Sequence, residues 1–255
     1  MTIKEYTAQW KEDIKSRITK ETVLAIVQVG DNEASNRYVR NKIKDCEEVG
    51  MIARLYKMED TVSEEAMIET LKEIQKNCDG VMVQLPLPKH LDVNRISKWI
   101  LPSQDVDGFL PDSQFVPCTP LGILMYLESE KFQFDGANVL VIGRSEIVGR
   151  PLAKELLARN ATVTLAHSHT RDLWDYIPKM DLVVSAVGRA KFLDCSNINC
   201  KVVDVGINFE NGKLVGDCYH TEGKDVTPVP GGVGLLTRCA LLENVLLAQK
   251  NKESR

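Results

Sequence analysis

The sequence predicts an α/β protein of two domains, each a mostly parallel sheet covered by helices. Three observations carry this reading. Apolar, β-branched runs alternate with amphipathic segments, the rhythm of strands joined by helical crossovers. The rhythm occurs twice, once up to Pro88 and again after Gly136. At 255 residues the chain can build one large domain or two small ones.

The elements follow in order. Thr22–Gly30 (TVLAIVQVG) reads as a buried strand. Ser35–Val49 reads as a helix, with Ser35 its expected cap and Gly50 its stop. Ile52–Met58 is a second strand, Ser63–Asn77 a charged amphipathic helix, and Gly80–Leu85 a third strand broken by Pro86 and Pro88. Thr119–Glu130 reads as a connecting helix opened by Pro120. In the second block Asn138–Ile142, Thr162–Ala166, Leu182–Ala186 and Lys201–Val205 read as strands, with a helix at Arg150–Arg159. A glycine-rich turn at Gly231 leads into a last helix ending near Lys250, and Asn251–Arg255 is expected to fray. The expected limits are 1–118 for the first domain, 119–136 for a connecting helix and linker, and 137–230 for the second domain. Residues 231–255 form a helix returning to the first.

Composition removes several function classes. The formal net charge of −4 provides no general basic field for nucleic acid. No apolar run approaches the roughly 20 residues that span a bilayer, and Met1–Trp10 is too polar for a signal peptide. The seven cysteines are odd in number and form no C-x-x-C pair, which fits reduced thiols in a cytoplasmic protein rather than a metal site. Cys118 is expected to be a small buried filler.

Two groups of residues could carry chemistry. The first is Val141–Pro151 (VIGRSEIVGRP), which follows a strand and opens a helix. Glycines there let the backbone approach a pyrophosphate, and the helix N-terminus offers free N–H groups. Ser145 stands where the usual second glycine would be, so the pattern alone fits a tight strand-to-helix turn equally well. The next strand runs into His167-Ser168-His169-Thr170 with no carboxylate to hold a ribose 2′-hydroxyl. Arg144 and Ser168 suit a 2′-phosphate instead, which favours NADP over NAD. Alternatively, Arg144 is a solvated charge and His167 a loop histidine.

The second group lies in the first block. Tyr38 and Lys42 stand four apart on a predicted helix and share one face, and a lysine beside a phenol can serve as acid or base. By itself that spacing is common on surface helices. Gln84 lies at a strand end, where α/β sheets bind ligands, and Asp105-Val106-Asp107-Gly108-Phe109 places two carboxylates in a turn. Thr227–Gly234 (TPVPGGVG) is a rigid and then permissive stretch before the last helix.

Seven segments together resemble the methylenetetrahydrofolate dehydrogenase/cyclohydrolase family. They are VGDNEASNRYVRNK (29–42), VQLPLP (83–88), DVDGF (105–109), PCTP (117–120), IGRSEIVGRP (142–151), DVGIN (204–208) and TPVPGGVG (227–234), in the family's order. The resemblance implies two α/β domains flanking a cleft, the second a Rossmann-type NADP-binding domain. It also implies a cytoplasmic homodimer acting on one-carbon derivatives of tetrahydrofolate, with no role for metal, nucleic acid or membrane. Carried over by position, Lys42 is the general acid/base, Tyr38 orients the substrate, Gln84 tunes Lys42 and Asp107 holds the pterin. Gly143, Arg144 and Ser145 would bind the cofactor with His167 and Ser168, and Ile207 would lie near its nicotinamide. Pro230, Gly231 and Gly232 would line the cleft.

Overall fold

Every residue of β1 (Val23–Val29) is buried, as a central strand covered on both faces must be. In the computed structural model, which describes residues 1–253, β2 (Ile52–Met58) and β3 (Gly80–Val83) pair with it in parallel, in the order β2-β1-β3. The helices of this part are α1 (Ile3–Arg17), α2 (Glu33–Val49), α3 (Glu64–Ile74) and the short α4 (Val93–Ser97). Met67, Leu71 and Ile74 of α3 close one face of the sheet against Val23, Val27 and Val81. Asn32, not Ser35, caps α2. Its backbone is still extended, and its side chain accepts the Ser35 N–H at 3.1 Å. Ser35 is already inside the first turn, and buried. The sequence reading has no counterpart for α1, whose apolar residues are diluted by charges; the structure buries its Trp10 and Ile14.

The second sheet comprises β4 (Asn138–Ile142), β5 (Thr162–Ala166), β6 (Leu182–Ser185) and β8 (Lys201–Asp204), all parallel in the order β5-β4-β6-β8. Alternate residues face two cores. Val139, Val141 and Val184 meet Leu152 and Leu156 of α6 (Gly149–Ala158), while Leu140, Val183 and Val202 face Leu193 and Ile198. Short elements absent from the sequence reading decorate this sheet. β7 (Leu193–Asp194) pairs with β11 (Cys218–Tyr219), and β9 (Asn208–Glu210) forms a hairpin with β10 (Lys213–Val215).

Helix α5 (Cys118–Ser129) is not a free connector. Ile123, Leu124 and Leu127 are fully buried in the core of the second sheet, so apolar burial assigns the segment to that unit. The chain divides into Ala8–Cys118 with residues 238–253, and Met1–Thr7 with Thr119–Thr237. The chain thus divides after Cys118 and again after Thr237, not at the expected 230/231. The second unit takes the first residues of the chain, the connecting segment, and the start of α7 (Val233–Glu253). Asn251–Glu253, expected to fray, continue α7; the rest of that expected tail lies outside the described residues. Among the described residues no helix is long and apolar enough to cross a membrane.

Candidate active site

In the first unit the end of β3 sets the geometry. The Gln84 N–H donates to Val27 O at 2.8 Å, which keeps this residue in line with the sheet. Its side-chain Nε2 donates to Leu85 O at 2.7 Å, and this fixes the orientation of the amide. Oε1 is thereby turned toward α2, where it accepts from Lys42 Nζ at 3.0 Å. Tyr38, one helical turn earlier, is 41% exposed, free to meet a flat ligand.

Asp107 completes the group. Loss of hydration pushes its carboxyl up to about 6, against the opposing pull of the Lys42 charge and with a further push from Asp105. Its turn is held from several sides. Leu110 N–H donates to Asp105 Oδ2 at 2.8 Å, and Asn244 Nδ2 of α7 donates to Val106 O at 2.9 Å and Val116 O at 3.0 Å. Cys118 is more than filler, since its thiol donates to Val106 O at 3.2 Å, while burial pushes the thiol well above its ordinary range. The Asp107 carboxyl itself receives only a long contact, 4.0 Å from Cys118 Sγ, among the described residues. Tyr38, Lys42, Gln84 and Asp107 thus fall in one unit, with Lys42 hydrogen-bonded to Gln84 and electrostatically coupled to Asp107.

Sequence reasoning missed two supports of this site. Asp45, one turn beyond Lys42 on α2, is buried and receives Lys11 Nζ at 2.6 Å together with the Arg238 guanidinium. Asn244 is the other. Both belong to pairs separated widely in sequence, so spacing carries no signal for them.

In the second unit β4 runs into the turn at Gly143. A Cβ on Gly143 would lie 2.3 Å from Ala186 O, and one on Gly149 would lie 1.9 Å from Gly143 O. These glycines are therefore required by the turn's own packing, before any ligand is considered. Ser145, in place of a glycine, accepts the N–H groups of Val148 and Gly149 at 3.2 and 3.4 Å, tying the turn to the start of α6. Arg144 is exposed beside the end of β5. Partial shielding lowers the basicity of His167, and the neighbouring charges of Arg144 and His169 lower it further. His167 Nδ1 accepts the His169 N–H at 3.1 Å. The end of β5 thus offers Arg144, an imidazole and the Ser168 hydroxyl, with no carboxylate. Ile207 is 51% exposed. Pro230 follows a cis peptide bond, Gly231 has φ +94°, and a Cβ on Gly232 would strike Pro228 O at 2.1 Å. Asp204 and Asp217, both buried at the end of this sheet, were not singled out from the sequence.

These features define an α/β enzyme with a dinucleotide turn in one unit and a lysine–amide–carboxyl group in the other. Family models described as tetrahydrofolate dehydrogenase/cyclohydrolase, catalytic domain and NAD(P)-binding domain match residues 1–107 and 117–253. The bifunctional protein FolD of Agathobacter rectalis is 39% identical, with 96% of each chain covered. Among solved structures, the bifunctional FolD methylenetetrahydrofolate dehydrogenase/cyclohydrolase of Campylobacter jejuni superposes with a TM-score of 0.93 at 37% identity, over 98% of each chain. The Trypanosoma brucei methylenetetrahydrofolate dehydrogenase-cyclohydrolase, complexed with NADP cofactor and inhibitor, gives 0.92 at 28% identity, over 100% of this chain and 98% of that one. The chain belongs to the tetrahydrofolate dehydrogenase/cyclohydrolase family.

Proposed function

We propose that this chain oxidises 5,10-methylenetetrahydrofolate to 5,10-methenyltetrahydrofolate with NADP+ and hydrolyses that product to 10-formyltetrahydrofolate. The observation that carries the reading is the Lys42–Gln84 hydrogen bond beside Asp107, in a chain holding both domains of the family. NADP+, when bound, would supply the hydride acceptor. The residues present fit it: a glycine turn closed on a parallel sheet, and an arginine and hydroxyl where an NAD site would carry a carboxylate.

Hydride transfer asks the protein mainly to align donor and acceptor carbons, because the folate nitrogens stabilise the cation. Asp107 would bond the pterin and Tyr38 would stack on it. Gly143, Arg144, Ser145, His167 and Ser168 would hold the phosphates and adenosine end, with Ile207 toward the nicotinamide. Pro230, Gly231 and Gly232 would contact the folate.

Hydrolysis requires proton transfers. Lys42 Nζ would take one proton from the water that adds to the methenyl carbon and return it to the ring nitrogen released when that C–N bond breaks, while the remaining hydroxyl proton is lost to solvent as the formyl C=O forms. Gln84 Oε1 holds Nζ in place for both transfers. The net charge of −4 and the seven free cysteines support a cytoplasmic protein acting apart from nucleic acid and membranes. Exposed apolar residues of the second unit, such as Phe209 at 68%, support a homodimer.

One assay tests the reading. Methylenetetrahydrofolate is supplied with NADP+ or NAD+, and both NADPH appearance and methenyl decay are followed. NADPH formation followed by enzyme-dependent methenyl decay is expected. NADPH without such decay would reduce the chain to a dehydrogenase, and no turnover would reject the enzymatic reading.

A further inference from the structure

The loop that follows β6 is fastened by a carboxyl group distant in sequence. Asp217, between β10 and β11, is 0% exposed. Its Oδ2 accepts the N–H groups of Val187 at 2.8 Å and Gly188 at 3.2 Å, and the Ser185 hydroxyl at 3.1 Å. Its Oδ1 accepts the Arg189 N–H at 2.8 Å and Asn208 Nδ2 at 3.0 Å. A carboxyl group removed from water persists only when such donors replace its hydration, and here the donors come from two separate segments.

Asp204, at the end of β8, in turn places Asp217. Its Oδ1 accepts the Asp217 N–H at 3.0 Å and the Gly206 N–H at 2.9 Å, and its Oδ2 accepts the Cys218 N–H at 2.9 Å. Each carboxyl fits because it faces a glycine. A Cβ on Gly206 would stand 2.2 Å from Asp217 Oδ1, and one on Gly216 would stand 1.9 Å from Asp204 Oδ2.

One fastened segment adjoins the dinucleotide turn, and the other carries Ile207. Ala186 donates its N–H to Ile142 O at 2.8 Å, and its carbonyl is the atom that a Cβ on Gly143 would strike. Ile207 lies between Gly206 and Asn208, both tied to the carboxyl pair. With the loop's N–H groups turned inward to Asp217, the exposed Val187 and Gly188 form its outer edge.

We propose that Asp217 is a positioning residue for the nicotinamide half of the cofactor: it holds Val187–Arg189 and Ile207–Asn208 as a preformed wall beside Gly143. The inference rests on the NADP reading above. Asp217→Asn replaces an acceptor by an NH2 group that faces N–H donors, so the wall loosens while the Arg144 end of the site is left as it was.

The test compares the native chain, D217N and the milder N208A by titration with NADP+ and with adenosine 2′,5′-bisphosphate, which has the 2′-phosphate but no nicotinamide. NADP+ binding should weaken about tenfold in D217N and a few-fold in N208A, with bisphosphate binding changed less than about twofold. In the ligand-free D217N chain, amide exchange at Val187–Arg189 should accelerate while β4 keeps its protection. The ratio of dehydrogenase to cyclohydrolase rate should fall. Equal weakening of both ligands, or unchanged NADP+ binding in folded D217N, overturns the proposal. Should D217N not fold, N208A decides by the same split between ligands. A native chain that binds neither ligand would instead reject the NADP reading, while the exchange rates still judge the hold on the loop.

Discussion

Asp107 in the first unit and Asp217 in the second are aspartates of the same chemistry placed in opposite conditions. Asp217 accepts five hydrogen bonds inside the protein. Asp107 is desolvated with Lys42 as its charged neighbour, and its carboxyl is pushed up to about 6. A carboxyl whose capacity is filled by the fold can only hold architecture. One left short of donors is available to a ligand that brings them. Asp45 belongs with Asp217, since Lys11 and Arg238 occupy its oxygens.

The largest effect is expected where the unfilled group meets the chemistry. Lys42→Met should lower the cyclohydrolase rate by roughly 10²–10⁴-fold while some dehydrogenase activity survives. Single-turnover assays of each step check this, and comparable loss of both in a folded variant would dissolve the division of labour. Asp45→Ala should act on stability, because it removes the carboxylate facing the partly buried Arg238 and leaves Lys11 with Glu48 alone; a loss of about 3 kcal/mol is expected in denaturant titration. A change under about 0.5 kcal/mol would move Asp45 out of the architectural class.

Asp107 gives the comparison its pH signature. Its folded-state value is raised from 3.8 to about 6, so its contribution to stability is complete below about pH 4. That contribution is lost as pH rises through about 6. Between pH 7 and 4 the native chain should gain roughly 1–3 kcal/mol relative to Asp107→Asn, read from denaturant midpoints of the ligand-free proteins. A parallel pair of pH curves would show that the carboxyl is hydrated after all. The smallest effect lies at the exposed end of the cofactor turn. Arg144→Ala should raise KM for NADP+ about tenfold and leave KM for NAD+ nearly unchanged. Equal changes would detach Arg144 from the 2′-phosphate.

Local regularities made much of the molecule legible in advance. The buried strands announced themselves by β-branched runs, and their predicted ends lie within two residues of the observed ones, as at Leu85 against Val83. The cofactor turn was visible as a motif, though its glycines turn out to serve the turn's own contacts with Ala186 and Gly143. Capping is less legible, because Ser35 and Asn32 are both good caps and only the backbone decides between them. Helix α5 is legible as a helix but not as core, since an apolar face does not name its partner.

The sequence by itself determined the two parallel sheets, the dinucleotide turn, and the residue types able to move protons at Lys42 and orient an amide at Gln84. These are local properties, set by periodicity, proline and glycine. Only the tertiary structure decided which carboxyl groups are spent and which are open. That Asp45 meets Arg238, Asn244 meets Val106, and Asp217 meets Val187 depends on loop closures of 30 to 193 residues. The same residue type is thereby made a brace in one unit and a ligand-ready group in the other, because hydration is reduced in both places and replaced in only one.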